Sequence, residues 1–359
     1  MATIADVAQQ AGVGVSTAAR ALSGNGYVAP ATRDRVLDIA NELGYVANRV
    51  ARSLRTRSTR MLGLLIADVE NHFYSVIAKN VESAAKEAGY HVLLCNDNDD
   101  GLEEREYLTL LEGMGIEGLI ITPTSRNLRR LQRLGEKGMP IVQIDRQVEG
   151  LRADAILADN DGGARAAVDH LVAKGHSRIA ILAGPEDVTT GRRRLDGFRA
   201  AMALHGLDVP PERVRHCSFR RDHAVQEARA LLELADRPTA VFAANNILAE
   251  ACFLAADDLG LRIPAEVSLI AFDDMPWMSL TAPKVTAIRQ PVSDMARTAT
   301  ELVLRRLRAE AGDPSTIVFQ PQLVPRGSVA GPGSRGRRAH VAMTGSASVP
   351  TNSRPPAGA

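Results

Sequence analysis

Residues 61–95 read "MLGLLIADVENHFYSVIAKNVESAAKEAGYHVLLC". The stretch opens on a continuous apolar run, Met61 to Ala67. It passes through residues at helical spacing, Ile77, Val81 and Ala84, and closes on a second run, His91 to Cys95. An unbroken apolar run is a strand buried on both faces, and a helix joining two such strands makes them parallel. The pattern recurs at "GLIITP", "PIVQID", "AILAD", "RIAILAG", "TAVFAAN", "VSLIAFD" and "VTAIRQP", with helical spacing between most, as at Leu231, Leu232 and Ala235. The fold class is therefore α/β. About nine strands in some 270 residues exceed one compact unit, so two doubly wound parallel-sheet lobes are expected. Ligands of such folds bind beyond the carboxyl ends of strands. The polar residues just past the runs are Asp68, Thr122, Asp145, Asn245 and Asp273.

The chain has 359 residues, 45% of them hydrophobic, enough for two or three domains. Its three cysteines, Cys95, Cys217 and Cys252, show neither paired nor metal-type spacing, which reads as a reduced, cytoplasmic protein. "MATIADVAQQAG" lacks a basic-then-apolar signal pattern, and no apolar run approaches the ~18 residues of a membrane span. The net charge of +1 is unevenly spread. Residues 1–60 hold eight arginines against four acids, and 331–359 hold four arginines and no acid, leaving −7 for 61–330. A basic end on an acidic body suits a polyanionic partner. The tail 331–359 is rich in Gly, Pro and Ser without periodicity, and is expected to be disordered.

Enzyme signatures are absent. There is no Walker-type phosphate loop, no G-x-S-x-G and no H-E-x-x-H. "NDNDDG" (96–101) resembles a calcium loop, but position twelve is Tyr107 where a bidentate Glu is required; it reads as a strand-to-helix loop. His176 reads as a loop histidine, and Trp277 as either a stacking residue or a loop cover. No nucleophile–base pair is evident, so no enzyme, metal or cofactor is expected.

"TIADVAQQAGVGVSTAARAL" (3–22) carries two short helical patterns. Thr3 and Asp6 form a capping box, with Asp in place of Glu. Ile4, Val7, Ala8 and Ala11 share one face, and Gly12 permits the positive φ of a tight turn. A second helix from about Val15 to Leu22 turns Ala18, Ala21 and Leu22 inward. Helix, four-residue turn, helix is the arrangement whose second helix enters the DNA major groove. Its outward residues are Val15, Ser16, Thr17 and Arg20; an arginine can pair bidentately with a guanine edge. A third helix, about Pro30 to Leu43, starts on a proline and ends before Gly44.

Across residues 1–330 the sequence resembles the lactose/galactose-repressor (LacI/GalR) family. The matching stretches are "TIADVAQQAGV", "TRDRVLDIANELGYVANRVARSLRTRST", "GLLI", "DN" at 159–160, "RRLDGF" at 193–198, "PTAVFAANN" and "VSLIAFDD". The resemblance implies a helix-turn-helix headpiece over 1–46, a hinge helix and linker over 47–60, and a two-lobed effector-binding and dimerisation core over 61–330, like the periplasmic sugar-binding proteins. It implies a homodimer on palindromic operator DNA. It adds Thr3, Thr32 and Tyr45 to the DNA-binding set, and Asn48, Arg49, Ala51, Arg52 and Leu54 in the hinge. There Asn48 would cap a helix too short to stand alone in water. Leu54 would wedge a minor-groove base step, with the arginines on nearby phosphates. Three positions depart from the family pattern: Gly14 and Ala29 stand at two helix caps, and Ala19 replaces a hydroxyl residue.

The resemblance places the effector on Phe73, Thr124, Asp145, Arg194, Phe219, Asn245 and Asp273. Two carboxylates and an amide, with aromatic rings beside them, suit a polyhydroxylated ligand; Arg192 to Arg194 also admit an anionic sugar or sugar phosphate. The function this implies is an effector-controlled transcriptional regulator, a repressor. The alternative is a small-molecule binding protein whose headpiece no longer reads DNA. Residues 331–359 lack the apolar heptad repeat of tetramerising family members, which favours a dimer.

Overall fold

The computed structural model describes residues 2–24, 26–45, 58–310 and 312–333. Its first elements are three helices: α1 (Ile4–Gln10), α2 (Val15–Ser23) and α3 (Pro30–Glu42). The predicted capping box starts α1. Asp6 N donates to Thr3 Oγ1 at 3.3 Å, and Thr3 N donates to Asp6 Oδ2 at 2.8 Å. These bonds hold the Asp6 carboxyl below its ordinary range. Gly12 has φ +64°, and Gly24, with φ +71°, ends α2 in the left-handed conformation. The core is built from small residues: Val7, Ala8, Ala11, Ala18, Ala21, Val28, Val36 and Ala40. Ile4, Val13, Leu22 and Tyr45 pack at its margin. Gly14 and Ala29 supply no side-chain cap to α2 and α3.

From residue 58 the chain builds β1 (Met61–Ile66), α4 (His72–Glu87), β2 (His91–Asn96), α5 (Gly101–Gly113), β3 (Gly118–Ile121), α6 (Leu128–Glu136), β4 (Ile141–Ile144) and β5 (Asp154–Ala158). A second series follows: α7 (Asn160–Ala173), β6 (Ile179–Ala183), α8 (Thr189–Leu204), β7 (Val214–His216), α9 (Arg221–Leu232), β8 (Ala240–Ala243), α10 (Asn246–Asp258), β9 (Ser268–Phe272) and β10 (Thr286–Arg289). Then come α11 (Val292–Leu307), β11 (Thr316–Phe319) and β12 (Gln322–Val324). Two compact units result. The first takes residues up to 157 and also 292–318; the second takes 158–291 and the chain from 319.

Each unit holds one six-stranded sheet, in the orders β11-β5-β4-β3-β1-β2 and β12-β10-β9-β8-β6-β7. The five principal strands of the first are parallel neighbours, as are those of the second; β12 runs antiparallel to β10. In both, the order reverses beside the first strand, at β1/β3 and at β6/β8. These are the topological switch points where such sheets take ligands.

All nine apolar runs are strands. Three further strands, β7, β11 and β12, carry "VRH", "TIVF" and "QLV" and are partly exposed. Each sits at a sheet edge. An edge strand need not be apolar on both faces, so the run criterion passes over it. The helix expected to include Ala235 stops at Leu232, whose carbonyl accepts from Arg237 Nε at 2.7 Å; Ala235 is exposed. In the first unit α11 is tied to β5 by a bidentate pair, Arg306 Nε to Asp154 Oδ2 at 2.7 Å and Nη2 to Oδ1 at 2.9 Å. Burial would raise the Asp154 carboxyl, but Arg306 and Ser315 outweigh it and hold it low.

In the second unit α7 and α8 meet backbone to backbone. A Cβ on Gly197 would lie 2.7 Å from Asp161 O and 2.8 Å from Asp161 Cα. Neither atom can rotate away. Gly197→Ala is therefore expected to destabilise the second unit by about 1–3 kcal/mol through overpacking. Urea unfolding should show a lower midpoint at unchanged slope; an unchanged midpoint would mean the helices separate freely.

Candidate functional site

On the headpiece, the outward face of α2 is as predicted. Val15 is 49% exposed, Ser16 and Arg20 are exposed, and Thr17 is half-buried. Arg20 Nε rests on Ser16 O at 3.3 Å. The helix carries no acidic residue, and Gly14 offers no side-chain acceptor to its first-turn N–H groups. Such a helix end is suited to receive an anion. Thr3 is exposed, whereas Thr32 and Tyr45 are half-buried, Tyr45 against the headpiece core. Asn48, Arg49, Ala51, Arg52 and Leu54 lie outside the described residues.

The two lobes share a device at their strand ends. Asp145 follows β4 with φ +68°, and Asp273 follows β9 with φ +69°. Each N–H donates 2.9 Å into the next strand, to Ile156 O and to Ile288 O. A non-glycine residue at positive φ is uncommon, and Asp is among the few that accept it. Both residues are 5% exposed.

In the first lobe, Tyr74 Oη donates to Asp145 Oδ2 at 3.2 Å, and Arg146 Nε lies 3.8 Å from the same oxygen. Arg146 also grips Asp99 with both terminal nitrogens. Phe73 is buried, edge-to-face on Tyr74 with centroids 5.1 Å apart. Thr124 is buried and anchors its loop, its N–H donating to Glu104 Oε2. The "NDNDDG" segment is a strand-to-helix loop, in which Asp100 caps α5 through Leu102 N at 2.6 Å. Asp68 accepts from Glu70 N at 2.9 Å, and the Thr122 hydroxyl is buried without a hydrogen-bond partner.

In the second lobe, Arg194 is 3% exposed. Its Nε donates to Asn160 Oδ1 at 2.8 Å, Nη1 donates to Ala244 O at 2.7 Å, and Nη1 stands 3.6 Å from Asp273 Oδ2. The guanidinium lies 3.7 Å over the Phe272 ring. Gln290 Nε2 donates to Asp273 Oδ1 at 2.6 Å. Burial raises the Asp273 carboxyl, against the opposing pull of Arg194 and Gln290. Asn245 spends its carbonyl oxygen capping α10 through Leu248 N at 2.8 Å, which leaves its amide N–H groups as the donors. The Phe219 ring lies against Gly184, where a Cβ would come within 2.4 Å of it. Each lobe thus presents a carboxylate fixed by a hydrogen-bond donor, with an aromatic ring nearby.

Reading the sequence passed over Tyr74, Arg146, Asn160 and Gln290. Arg146 and Gln290 lie one or two residues beyond strand ends, so a wider window after each apolar run finds them. Asn160, two residues past β5 and within the "DN" pair at 159–160, is found the same way, whereas Tyr74 lies inside a helix and no local signal marks it. His176, read as a loop histidine, is in a loop but buried, bonded to Thr239 Oγ1 at 2.9 Å and Ala330 O at 2.7 Å. Trp277 packs edge-to-face on Phe253. The three cysteines are free and buried. Among the described residues no helix is long and apolar enough to cross a membrane.

Residues 3–48 match the family model described as bacterial regulatory proteins, lacI family, and 168–329 match a periplasmic binding protein-like domain. The HTH-type transcriptional repressor PurR of Photobacterium profundum is 32% identical over 92% of this chain and 99% of its own. The chain belongs to the LacI family. Among solved structures, the lac repressor dimer bound to operator and the anti-inducer ONPF superposes on this LacI-family chain with a TM-score of 0.81. Identity there is 26%, over 92% of this chain and 99% of that one. The transcriptional regulator CelR–cellobiose complex gives 0.69 at 30% identity, over 91% and 100%. This LacI-family chain is a DNA-binding transcriptional regulator with a headpiece and two periplasmic-binding-protein-like lobes.

The first lobe also holds two fully buried carboxyls, Asp97 and Glu104. Burial, and then the charge of Glu104, push Asp97 up to about 8 from its ordinary 3.8. Between those values the folded chain keeps a proton that the unfolded chain has lost, so stability falls as pH rises. His170 and His176, lowered by burial, act oppositely below their ordinary 6.5. From about pH 7 to 8.5 the family member should therefore lose roughly 1 kcal/mol. Asp97→Asn should reduce that loss. Urea unfolding at the two pH values checks this, and equal losses in both proteins would refute it.

Proposed function

We propose that the chain is a homodimeric repressor that binds a palindromic operator and whose DNA affinity is set by a small, sugar-like effector. The observation that carries this reading is the presence in one chain of an acid-free exposed face on α2 and of two lobes that each end a central strand on a buried aspartate. Charge points the same way, with the excess of arginine at the N-terminal end against −7 in the body.

In the headpiece, Arg20 reads a base edge while Ser16, Thr17 and Thr3 meet phosphates or bases. Val15 on the same helix, and Thr32 and Tyr45 elsewhere in the headpiece, complete the DNA-binding set that the resemblance implies. The hinge positions Asn48, Arg49, Ala51, Arg52 and Leu54 complete the contact, with Leu54 as the wedge in the minor groove. The domain limits that go with this reading are 1–46, 47–60 and 61–330, followed by the tail.

The effector-binding candidates, as the family resemblance implies, are Asp145, Thr124 and Phe73 in the first lobe, and Arg194, Asn245, Asp273 and Phe219 in the second. The carboxylates accept hydrogen bonds from hydroxyls, the Asn245 amide donates, and Arg194 donates to an oxygen. This donor–acceptor set suits a polyol or sugar, and the similarity to a regulator solved with cellobiose supports that chemistry. The headpiece core is complete, which favours DNA reading over a binding protein with a silent headpiece.

Arg20→Ala is expected to weaken operator binding by about 1–3 kcal/mol and to relax preference at one base position per half-site. A binding-site selection that returns the wild-type consensus would remove Arg20 from base readout. Asp273→Ala and Arg194→Ala should abolish the response to effector while leaving operator binding in its absence unchanged. A thermal-shift panel of sugars, sugar acids, sugar phosphates and aromatic heterocycles identifies the ligand, and calorimetry on the variants tests the residues. Native affinity in either variant, or a panel in which only aromatic heterocycles stabilise the protein, would overturn the assignment.

A further inference from the structure

The first lobe carries a second concave surface, formed by α5 and α6. A groove of about 640 Å³ lies there, lined by Arg105, Arg126, Arg129, Arg130 and Arg133 with Glu106 as the one acid. Arg130 is engaged, its Nη2 donating to Glu112 Oε2 at 2.6 Å, and Glu112 also binds Lys137 at 2.6 Å. The Lys137 hydrogen bond holds the Glu112 carboxyl below its ordinary range, so that charge is already spent. Among the described residues no ion pair involves Arg105, Arg126, Arg129 or Arg133. All four are exposed.

The arrangement works against the helix that bears it. The first turn of α6 holds Arg129 and Arg130 and no acid, at the end where the helix dipole disfavours cations. Arg129 and Arg133 are four residues apart, a spacing at which like charges repel. The Asn127 side chain does not cap α6; its Nδ2 instead donates to Gly101 O at 2.7 Å. The surrounding loop is nevertheless held firmly. The Arg126 stem lies on Gly101, where a Cβ would come within 2.7 Å of it. Thr124 N donates to buried Glu104. Four guanidiniums without an ion-pair partner are therefore gathered on an anchored frame, with the already engaged Glu112 and the single Glu106 as the nearby acids.

We propose that this groove is a second ligand site, for a small molecule carrying two or more phosphoryl groups. Its volume falls within the range of small-molecule pockets. The arginines face one groove from two helices rather than forming the stripe that a nucleic-acid backbone needs. Guanidinium forks bind phosphate oxygens in pairs, and phosphoryl groups bring the most charge into a limited space. The site is separate from both the α2 face and the strand-end aspartates, so it stands or falls without them.

The test is calorimetry on the full chain with inorganic pyrophosphate, citrate and hexaglutamate at low and moderate salt. The variants are the double substitution Arg129→Gln with Arg133→Gln, and Arg105→Gln from the opposite wall. Leu131 and Leu134, which bury α6, are untouched, and thermal midpoints without ligand should stay at or above wild type. Pyrophosphate should bind once per chain, more tightly than citrate or hexaglutamate, and more weakly as salt rises. The double variant should lose about tenfold or more in affinity, and Arg105→Gln should lose part of it. Absence of binding, equal affinity in the variants, or tighter binding of citrate or of the acidic peptide would each overturn the proposal.

Discussion

Burying a parallel sheet on both faces is the constraint from which the rest of the core follows. Strands such as β1, β3 and β6 are apolar throughout because helices cover them above and below. Few polar residues are then tolerated in the strands themselves, and those present, such as Asp154 in β5 and Ser268 in β9, are hydrogen-bonded. The others collect where the strands stop, and in a parallel sheet all the carboxyl ends stop along one edge. The functional candidates of both lobes gather there for that reason. The twin aspartates show how tightly the edge is specified. Asp145 and Asp273 hold the same left-handed conformation and make the same backbone bond into the following strand.

The two edges differ in electrostatics. The second lobe stabilises its aspartate with one arginine and one amide, and the arginine is itself supported by a carbonyl, an asparagine and an aromatic face. The first lobe is more crowded with carboxyls. Asp97, Asp99, Glu104 and Asp145 lie near a single buried guanidinium, Arg146, and Asp97 Oδ2 and Glu104 Oε1 have no hydrogen-bond partner. Buried carboxyls that share too little positive charge hold protons instead, which makes this lobe the one whose stability responds to mildly alkaline pH.

The headpiece reaches its stability by another route. Its core is mostly alanine and valine, so the three helices approach closely, and each is too short to persist in water alone. Gly14 and Ala29 withhold two side-chain caps. The fold there rests on the Thr3–Asp6 box, on the left-handed turns at Gly12 and Gly24, and on the tight packing itself. Gly14 also leaves the N–H groups of the first turn of α2 without a side-chain acceptor.

Periodicity in the sequence determined the α/β class, nine of the twelve strands, the three headpiece helices and the outward face of α2. These features depend on neighbours a few residues away, so local pattern carries them. The strand-end aspartates were legible for the same reason, since each directly follows an apolar run. Only the tertiary structure decided the edge strands β7, β11 and β12, whose pairing partners lie far along the chain and whose half-exposed faces need no apolar signature. It also decided the partners of the site residues. Tyr74 lies 71 residues from Asp145, and Arg194 lies 34 residues from Asn160. Bonds of that span depend on how helices pack on the sheet, and no spacing within the sequence records it. The arginine groove is of the same kind: Arg105 and Arg133 belong to different helices, and only the packing of α5 beside α6 puts their charges on one surface.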